Sequence, residues 1–160
     1  MSNWGGMPTR LFLRRTRIAA PVERVFRWHE LPGAFEKLTP PGEPVRVVAQ
    51  SGGIADGGRV ELAIGYGPAC VRWIAEHSGY IRNRRFRDIQ IRGPFRRWEH
   101  THMFEEDGAG ACYLEDRIEY ELPFGRLGAW LLGPTVERKL DRLFEYRHQI
   151  TREANEDAGE

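Results

Sequence analysis

The sequence predicts an α+β domain in which a curved antiparallel sheet folds around a long C-terminal helix, with two short helices after the first strand. Between residues 45 and 122, strand-length runs alternate with turns that contain glycine or proline. Such short connections join antiparallel neighbours, because a parallel crossover needs about a dozen residues or more. After residue 133, apolar residues recur instead at the three- and four-residue spacing of an amphipathic helix.

The first elements are a strand and two short helices. A strand is predicted over Leu11 to Ile18. Pro21 ends it, because proline has no N–H to donate to a strand ladder. Pro21 also suits the first turn of a helix, and apolar spacing predicts that helix over Val22 to Trp28. A second short helix is expected from Pro32 to Leu38. The strand-length runs that follow are Val45 to Ala49, Arg59 to Tyr66, Ala69 to His77, Arg85 to Ile91, Arg97 to Glu105 and Cys112 to Leu122.

The last strand and the final helix show the clearest patterns. From Cys112 to Leu122, a largely apolar set of residues alternates with charged ones, so one face of this strand is covered and the other is in water. Gly133 and Pro134 predict the start of the final helix. An isolated helix of about 18 residues is marginal in water, so we expect it to pack on the concave face of the sheet. Its predicted covered stripe contains Val136, Leu140, Leu143, Arg147 and Ile150, with Phe144 beside it.

Composition fits one domain and argues against nucleic-acid binding. A chain of 160 residues can bury one sizeable core. We expect a single domain over residues 1–160, with its core at about 9–153 and flexible segments at 1–8 and 154–160. The formal net charge is only +1, so no global field favours nucleic acid or an anionic membrane. No zinc finger or RNA-binding motif accompanies the paired arginines.

Cellular location and cysteine chemistry follow from similar observations. Residues 1–17 lack the apolar stretch of about seven to fifteen residues that a signal peptide needs, and no run is long enough to span a bilayer. Cys70 and Cys112 lie in apolar runs without metal-ligand or redox-motif spacing. The sequence therefore predicts a cytoplasmic protein with reduced cysteines.

Several phrases along the chain narrow the prediction further. They are Ala20-Pro21 with Val25-Phe26, Gly33 to Pro41, Phe86 with Asp88 and Gln90, Gly93-Pro94-Phe95, Trp98 to Phe104, Asp116 to Tyr120, Leu122-Pro123 and Phe144 to His148. These phrases and the order of the elements resemble the START and Bet v 1-like superfamily, often called SRPBCC, and within it the bacterial proteins related to polyketide cyclase/dehydrase domains. The resemblance spans about residues 9 to 153. It implies a helix-grip fold with an internal ligand cavity, but no particular reaction.

Polar residues on the covered face of the sheet are the candidates for a functional site. The two-residue period of a strand puts His100 and His102 on the same face. If the lengths of the flanking turns set the register, His102 lies opposite Asp116 and Asp88 lies opposite His100. The covered face then holds two carboxylate–imidazole pairs, as expected because a buried carboxylate needs a partner. A slip of one residue would turn Asp88 outward.

Three residues in or near the final helix carry further expectations. Arg147 keeps its charge, so we expect its guanidinium to lean toward an acidic group. His148 is expected to interact with the helix dipole rather than to bind a ligand. Trp130, just before the predicted helix start, is expected to pack in the core. The alternative is a gate at the cavity mouth, paired with the loop from Leu38 to Gly42. Two histidines on one strand could hold a metal with an aspartate, but this is a weak signal, and we expect no metal and no other cofactor.

Three interpretations of the paired histidines and aspartates stay open. They form a structural network, or the polar end of a ligand site, or a catalytic group that moves a proton. The first two are compatible with each other. In the catalytic interpretation the candidates are His100, His102, Asp116 and Tyr120, with Tyr120 or Arg147 stabilising an oxyanion.

The expected function is binding or transport of a small hydrophobic molecule in the internal cavity, more readily than catalysis. The alternative is a cyclase or dehydratase that acts on a polyketide-like or aromatic substrate through a His/Asp pair in the same cavity. A third possibility is an interaction module that works beside a separately encoded enzyme. The expected walls are Phe86, Trp98, Phe104, Ile118, Leu140 and Phe144, and the expected polar contacts are Asp88, Gln90, His100, His102, Asp116, Tyr120 and Arg147.

Overall fold

The computed structural model describes residues 8–156 of the chain. The flexible segments predicted at 1–8 and 154–160 therefore lie mostly outside the described residues. Within the described part, the final helix continues to Glu156 and buries Asn155. The prediction that the tail begins at residue 154 is thus wrong for residues 154–156, because Asn155 packs into the interior.

Within residues 8–156, seven antiparallel strands form one curved sheet around a long helix. The strands are β1 (Arg10–Ile18), β2 (Val45–Ser51), β3 (Arg59–Ile64), β4 (Val71–Ile81), β5 (Arg85–Arg92), β6 (Arg97–Glu106) and β7 (Cys112–Glu121). The helices are α1 (Val22–Glu30), α2 (Ala34–Lys37) and α3 (Gly125–Glu156), and a single 3-10 turn covers Gly67–Ala69. The order across the sheet is β1-β7-β6-β5-β4-β3-β2. The predicted α+β helix-grip fold is confirmed.

The pairing register of the central strands is the predicted one. His102 pairs with Asp116 across β6 and β7, and Asp88 pairs with His100 across β5 and β6. Short hairpin connections fix this register, because a slip of one residue would exchange the inner and outer faces of a strand. The inner face therefore receives the polar side chains that alternation assigned to it.

The outer face of the sheet carries rows of arginines and glutamates. Arg15 of β1 contacts Glu115 on the adjacent β7 and Glu105 on β6, and Arg87 contacts Glu99. Such solvent-accessible pairs each contribute at most about 1 kcal/mol to stability. Their main effect is to keep this face in water, so that the apolar face turns toward α1 and α3.

Two apolar clusters form on the inner face. One lies beneath α1, and the other lies beneath α3. The first contains Ile18, Ala20, Val22, Val25, Phe26, Phe86, Phe104, Cys112 and Leu114, and the second contains Phe12, Trp98, Ile118, Tyr120, Leu122, Leu140 and Phe144.

Helix α3 begins at Gly125, earlier than the predicted start at Gly133. Phe124 and Gly125 have φ angles of 62° and 59°, and this left-handed turn redirects the chain from β7 into the helix. The prediction was wrong because Pro134 lies inside the helix rather than at its start. A proline there removes one backbone hydrogen bond, but it does not end the helix.

Arg10 of β1 connects the two halves of α3 across this proline. Its guanidinium donates to the carbonyl oxygen of Ala129 at 3.0 Å and forms an ion pair with Glu137. Gly133 permits the approach, since a Cβ atom at that position would lie 2.6 Å from the guanidinium carbon. The sheet thus supports the helix on both sides of Pro134.

The first turns of α3 present an apolar patch to solvent. Phe124 is 82% exposed, Trp130 is 74% exposed, and Leu127 and Leu131 are exposed beside them. The expectation that Trp130 packs in the core is therefore wrong. Within residues 8–156, no helix combines the length and hydropathy needed to cross a bilayer.

Helix α3 covers one half of the inner face more closely than the other. It packs on α1 and, within the sheet, mainly on β1 and β7, where Leu140 and Phe144 are buried. On β2, β3 and β4 the inner-face residues Val47, Ile64 and Trp73 are only half-buried. This asymmetry leaves an apolar strip of the sheet accessible beside α3.

Candidate functional site

A cluster of ionisable side chains lies on the inner face where β5, β6 and β7 meet α3. Its members are Asp88, His100, His102, Asp116 and His148, and we refer to them as the His/Asp cluster. The side chains of His100, Asp116 and His148 are 3–4% exposed, and those of His102 and Asp88 are 12% and 16% exposed. Charges so far from water must be paired, because burial without a partner costs several kcal/mol.

Asp116 is the centre of the cluster. Its Oδ1 accepts a hydrogen bond from Nε2 of His100 at 2.8 Å and lies 2.7 Å from Nδ1 of His102. Its Oδ2 accepts a hydrogen bond from Nε2 of His148 at 2.7 Å. One carboxylate therefore contacts three imidazoles and ties the sheet to α3.

Asp88 contacts the same two histidines from the opposite side. Its Oδ2 lies 3.2 Å from Nδ1 of His100 and 3.4 Å from Nε2 of His102. The two imidazole centroids are 3.8 Å apart. Each carboxylate thus contacts both rings, whereas the sequence predicted two separate pairs. The rings are shared because His100 and His102 point to the same side of one strand.

Burial and charge have opposite effects on the titration of this cluster. Burial alone would lower the pKa of His100, but Asp88 and Asp116 outweigh it and raise that pKa to about 9. Burial alone would raise the pKa of Asp116, but the charge of His102 and hydrogen bonds from the three histidines hold it well below its usual range. Burial is likewise outweighed at Asp88, where His100 and His102 lower the pKa of the carboxyl. At neutral pH the carboxylates stay ionised, and His100 is protonated on both ring nitrogens and positively charged.

His148 belongs to the cluster, although the sequence assigned it to the helix dipole. Besides its bond to Asp116, its Nδ1 lies 2.7 Å from Oγ1 of Thr16 on β1. Nε2 donates its N–H to Asp116, and Nδ1 shares a hydrogen bond with the Thr16 hydroxyl. One signal could have revealed this role: His148 follows Phe144 by four residues and Leu140 by eight, and so lies on the same helix stripe.

A fourth histidine, His29 of α1, borders the cluster without joining its hydrogen bonds. Its Nδ1 donates to the carbonyl oxygen of Val25 at 2.8 Å, and its ring centroid lies 6.3 Å from that of His102. Burial lowers the pKa of His29 to about 4. The ring is therefore neutral at neutral pH, and it adds no charge to a region that already holds several.

Arg147 faces the loop after α2 and makes no ion pair within residues 8–156. Its Nε donates to the carbonyl oxygen of Leu38 at 3.2 Å. Its guanidinium lies 5.1 Å from the ring centroid of Phe144 and 5.7 Å from that of Phe35. The prediction of an acidic partner is wrong, because Asp88 and Asp116 already contact histidines. Burial lowers the pKa of Arg147, while both aspartates oppose that change.

The residues expected as cavity walls pack on one another. Phe86 and Phe104 belong to the cluster beneath α1, whereas Trp98, Ile118, Leu140 and Phe144 belong to the cluster beneath α3. The His/Asp cluster lies between these two groups, and Phe86 stacks on His102 with ring centroids 4.1 Å apart. The half-buried Trp73, which the sequence did not single out, contacts Trp98 at 5.1 Å between centroids.

Three further polar groups have distinct surroundings. Gln90 holds the turn before β6, donating to the carbonyl oxygen of Phe95 and accepting from its N–H. Tyr120 is 1% exposed, and burial raises the pKa of its hydroxyl. The indole Nε1 of Trp98 is buried and has no hydrogen-bond partner within the described residues. An unpaired buried donor costs about 1–3 kcal/mol, so Trp98 can gain from a ligand acceptor.

Two surface depressions lie elsewhere. One, of about 430 Å³, is lined by residues of β1, β4, β5, β6 and β7 that include Arg15, Arg85 and Tyr113. The other, of about 460 Å³, lies on α3 and is lined by Thr135, Arg138, Asp141 and Arg142. Of the expected wall residues, Phe104 alone lines either depression. Neither depression reaches the His/Asp cluster.

The sequence matches one known family over most of its length. Residues 18–145 match the family described as polyketide cyclase / dehydrase and lipid transport. No curated protein matches the chain.

Several solved structures share the fold. Norcoclaurine synthase from Thalictrum flavum aligns with a TM-score of 0.73 at 13% identity, over 96% of this chain and 97% of its own. The protein TTHA0849 from Thermus thermophilus aligns with a TM-score of 0.71 at 23% identity, over 94% and 100%. A START superfamily protein from Mycobacterium smegmatis gives 0.66 at 15% identity, over 92% and 98%.

At these identities, the structural neighbours establish the fold alone. The family match covers residues 18–145, and the sheet and final helix have the architecture of the START and Bet v 1-like superfamily. The chain therefore belongs to the polyketide cyclase / dehydrase and lipid transport family of that superfamily.

Proposed function

We propose that this protein binds or carries a small hydrophobic molecule on the inner face of its sheet, beside α3. The supporting observation is the half-buried apolar strip on β2, β3 and β4, which includes Val47, Ile64 and Trp73. Monomeric proteins seldom leave such a concave apolar surface open without a use. In the proposed complex, the deeper aromatic residues Trp98 and Phe144 form the end of the site.

The polar end of the ligand would be held by groups with unused hydrogen-bonding capacity. The indole N–H of Trp98 has no partner within residues 8–156. Arg147 uses Nε on Leu38, and in the same part of the chain its Nη atoms make neither a hydrogen bond nor an ion pair. Both side chains are donors only. We therefore propose a ligand that carries a carbonyl, carboxylate or other acceptor on an otherwise apolar body.

The expected contact set changes accordingly. Gln90 is occupied by the β5–β6 turn, so we propose that Trp73 and Arg147 contribute more than Gln90. The remaining expected residues keep a proposed role as walls or as the polar border, namely Phe86, Asp88, Trp98, His100, His102, Phe104, Asp116, Ile118, Tyr120, Leu140 and Phe144.

The test uses 8-anilinonaphthalene-1-sulfonate, an apolar aromatic with one anionic acceptor group whose fluorescence rises in apolar surroundings. We expect saturable binding that weakens about tenfold in Trp73→Ala, since an aromatic contact contributes about 0.5–1.5 kcal/mol beyond its buried area. Trp130→Ala is the matched control, because Trp130 lies in the exposed patch on α3. Loss of binding in Trp130→Ala with retention in Trp73→Ala would contradict the proposed location.

The alternative function is a cyclase or dehydratase that uses the His/Asp cluster on a polyketide-like or aromatic substrate. The observation in its favour is that His102, the more exposed imidazole, lies between two carboxylates. Against it, His100 holds its proton tightly and is a poor base. Turnover of such a substrate by the wild type, lost in His102→Ala with the fold intact, would favour the alternative.

We also propose that the protein works in the cytoplasm, on a ligand supplied or used by a separate enzyme. The support is chemical: Cys70 is exposed and Cys112 is buried, both are free thiols, and unpaired cysteines persist in reducing compartments.

A further inference from the structure

The contacts within the His/Asp cluster are of two kinds. Around Asp116, the three nitrogen–oxygen distances are 2.8, 2.7 and 2.7 Å. Around Asp88, the two distances are 3.2 and 3.4 Å. Charge-assisted N–H···O hydrogen bonds measure about 2.7–2.9 Å, so the Asp116 contacts have hydrogen-bond lengths and the Asp88 contacts are longer.

The longer distances match the edges of a metal coordination polyhedron. Bonds of about 2.0–2.1 Å from a tetrahedral metal to nitrogen and oxygen place neighbouring ligand atoms about 3.3 Å apart. Asp88, His100 and His102 each offer one ligand atom, and these atoms lie within 4.8 Å of one another. Two of the three separations between ligand atoms thus have the length of such an edge, and the third is no longer than 4.8 Å.

The hydrogen bond on the far side of His100 gives an independent reason. When Nε2 donates its proton to Asp116, a neutral ring presents the lone pair of Nδ1 toward Oδ2 of Asp88. An ionised carboxylate and a lone pair repel each other unless a positive charge lies between them. That charge is either a second proton on the imidazole or a metal ion.

We propose that Oδ2 of Asp88, Nδ1 of His100 and Nε2 of His102 bind one divalent transition-metal ion, with Zn²⁺ as the cation that the ligand set suits. Two imidazoles and a carboxylate are ligands of Zn²⁺, and three protein ligands leave a fourth position for water or an exogenous group. On binding, the cation displaces the second proton that His100 carries in the metal-free protein. Its two positive charges then balance Asp88 and Asp116, with both rings bound as neutral imidazoles.

Asp116 then has the role of an outer-sphere carboxylate. Histidines that bind a metal usually give their other ring proton to a carboxylate, which fixes the tautomer and the ring orientation. Asp116 faces Nε2 of His100 and Nδ1 of His102, the two nitrogens turned away from Asp88. His148 holds Asp116 in place through its second oxygen.

This site goes beyond the proposed binding of a hydrophobic molecule. The apolar strip around Trp73 does not require a metal, and its test runs on metal-free protein. If one proposal fails its test, the other can still be tested by its own measurement.

The test is calorimetric titration of tag-free, chelator-treated protein with ZnSO₄ at neutral pH. We expect one Zn²⁺ per chain, with affinity reduced about 100-fold or more in His102→Ala and in Asp88→Asn. Loss of the outer carboxylate in Asp116→Asn should weaken binding about 10–100-fold. Asp141→Asn, on the exposed face of α3, is the matched control and should bind as the wild type does.

A second measurement covers the case in which a ligand variant fails to fold. In the wild type, Zn²⁺ should shift the imidazole resonances of His100 and His102 and leave those of His29 in place, and Co²⁺ should give the intense visible absorption of four-coordinate cobalt. Absence of Zn²⁺ binding to the wild type would overturn the proposal. So would binding that is unchanged in Asp88→Asn and His102→Ala, or shifts confined to other histidines.

Discussion

Asp116 is ionised where little water reaches it, and three imidazoles make this possible. Each of its oxygens is contacted by at least one histidine nitrogen at 2.7–2.8 Å. His29 lies beside the same cluster but is held neutral by burial, with a pKa of about 4. His100 and His29 thus differ in protonation, because His100 faces two carboxylates whereas His29 faces a backbone carbonyl and aromatic rings.

Titration of His29 should make the protein less stable in acid. The pKa of His29 falls from 6.5 in the unfolded chain to about 4 in the fold, so the unfolded state binds more protons between these values. The stability contributed by the neutral ring is complete above pH 6.5 and is lost as pH falls toward 4. The loss is at most about 3 kcal/mol.

Urea denaturation of the wild type and His29→Phe across this pH range measures the effect. From pH 6.5 to pH 4, the free energy of unfolding of the wild type should fall steadily relative to that of His29→Phe. A difference that is constant over that range would show that His29 titrates normally in the fold.

The identity of the cluster members was only partly predictable from sequence. Strand alternation assigns Asp88, His100, His102 and Asp116 to one face, because the period of a strand is two and the turns are short. His148 was missed because a histidine near a helix C-terminus has a sufficient explanation in the helix dipole. Sharing of each carboxylate by two rings depends on side-chain geometry, which alternation does not describe.

At the scale of elements, strands were predictable and the start of α3 was not. Glycine and proline mark nearly every strand end, and the alternation within the strands is regular. The large apolar side chains of residues 125–132 are exposed and follow no amphipathic pattern, so the helix extends beyond its periodic part. Its start depends instead on the left-handed turn at Phe124 and Gly125.

Gly128 should be essential for this part of the helix. A Cβ atom at Gly128 would lie 1.7 Å from the carbonyl oxygen of Pro123, a backbone group that cannot swing aside. Gly128→Ala should therefore destabilise the fold by about 1–3 kcal/mol, although alanine favours helices. The free energy of unfolding in urea gives the measurement.

Gly133→Ala provides the comparison, since the atoms it approaches belong to the flexible guanidinium of Arg10. Its effect should be smaller than that of Gly128→Ala. Equal effects of the two substitutions would contradict the steric explanation.

At the scale of the whole molecule, the decisive feature is the uneven cover of the inner face. Within the sheet, helix α3 contacts mainly β1 and β7. It therefore covers that half of the inner face and leaves the half on β2, β3 and β4 only partly buried. Charged rows make the outer face unsuitable for an apolar ligand. The apolar strip that includes Ile64 and Trp73 lies on the concave face of the sheet. The apolar patch around Trp130 lies on the convex surface of a helix.

Tryptophan indole N–H resonances can locate the proposed ligand site, because Trp28, Trp73, Trp98 and Trp130 lie in different parts of the fold. On addition of 8-anilinonaphthalene-1-sulfonate to metal-free protein, we expect shifts for Trp73 and Trp98, with the Trp98 resonance moving downfield as its N–H gains an acceptor. Trp28 should keep its position. Shifts confined to Trp130, with Trp73 and Trp98 unchanged, would contradict a hydrophobic ligand site on the inner face.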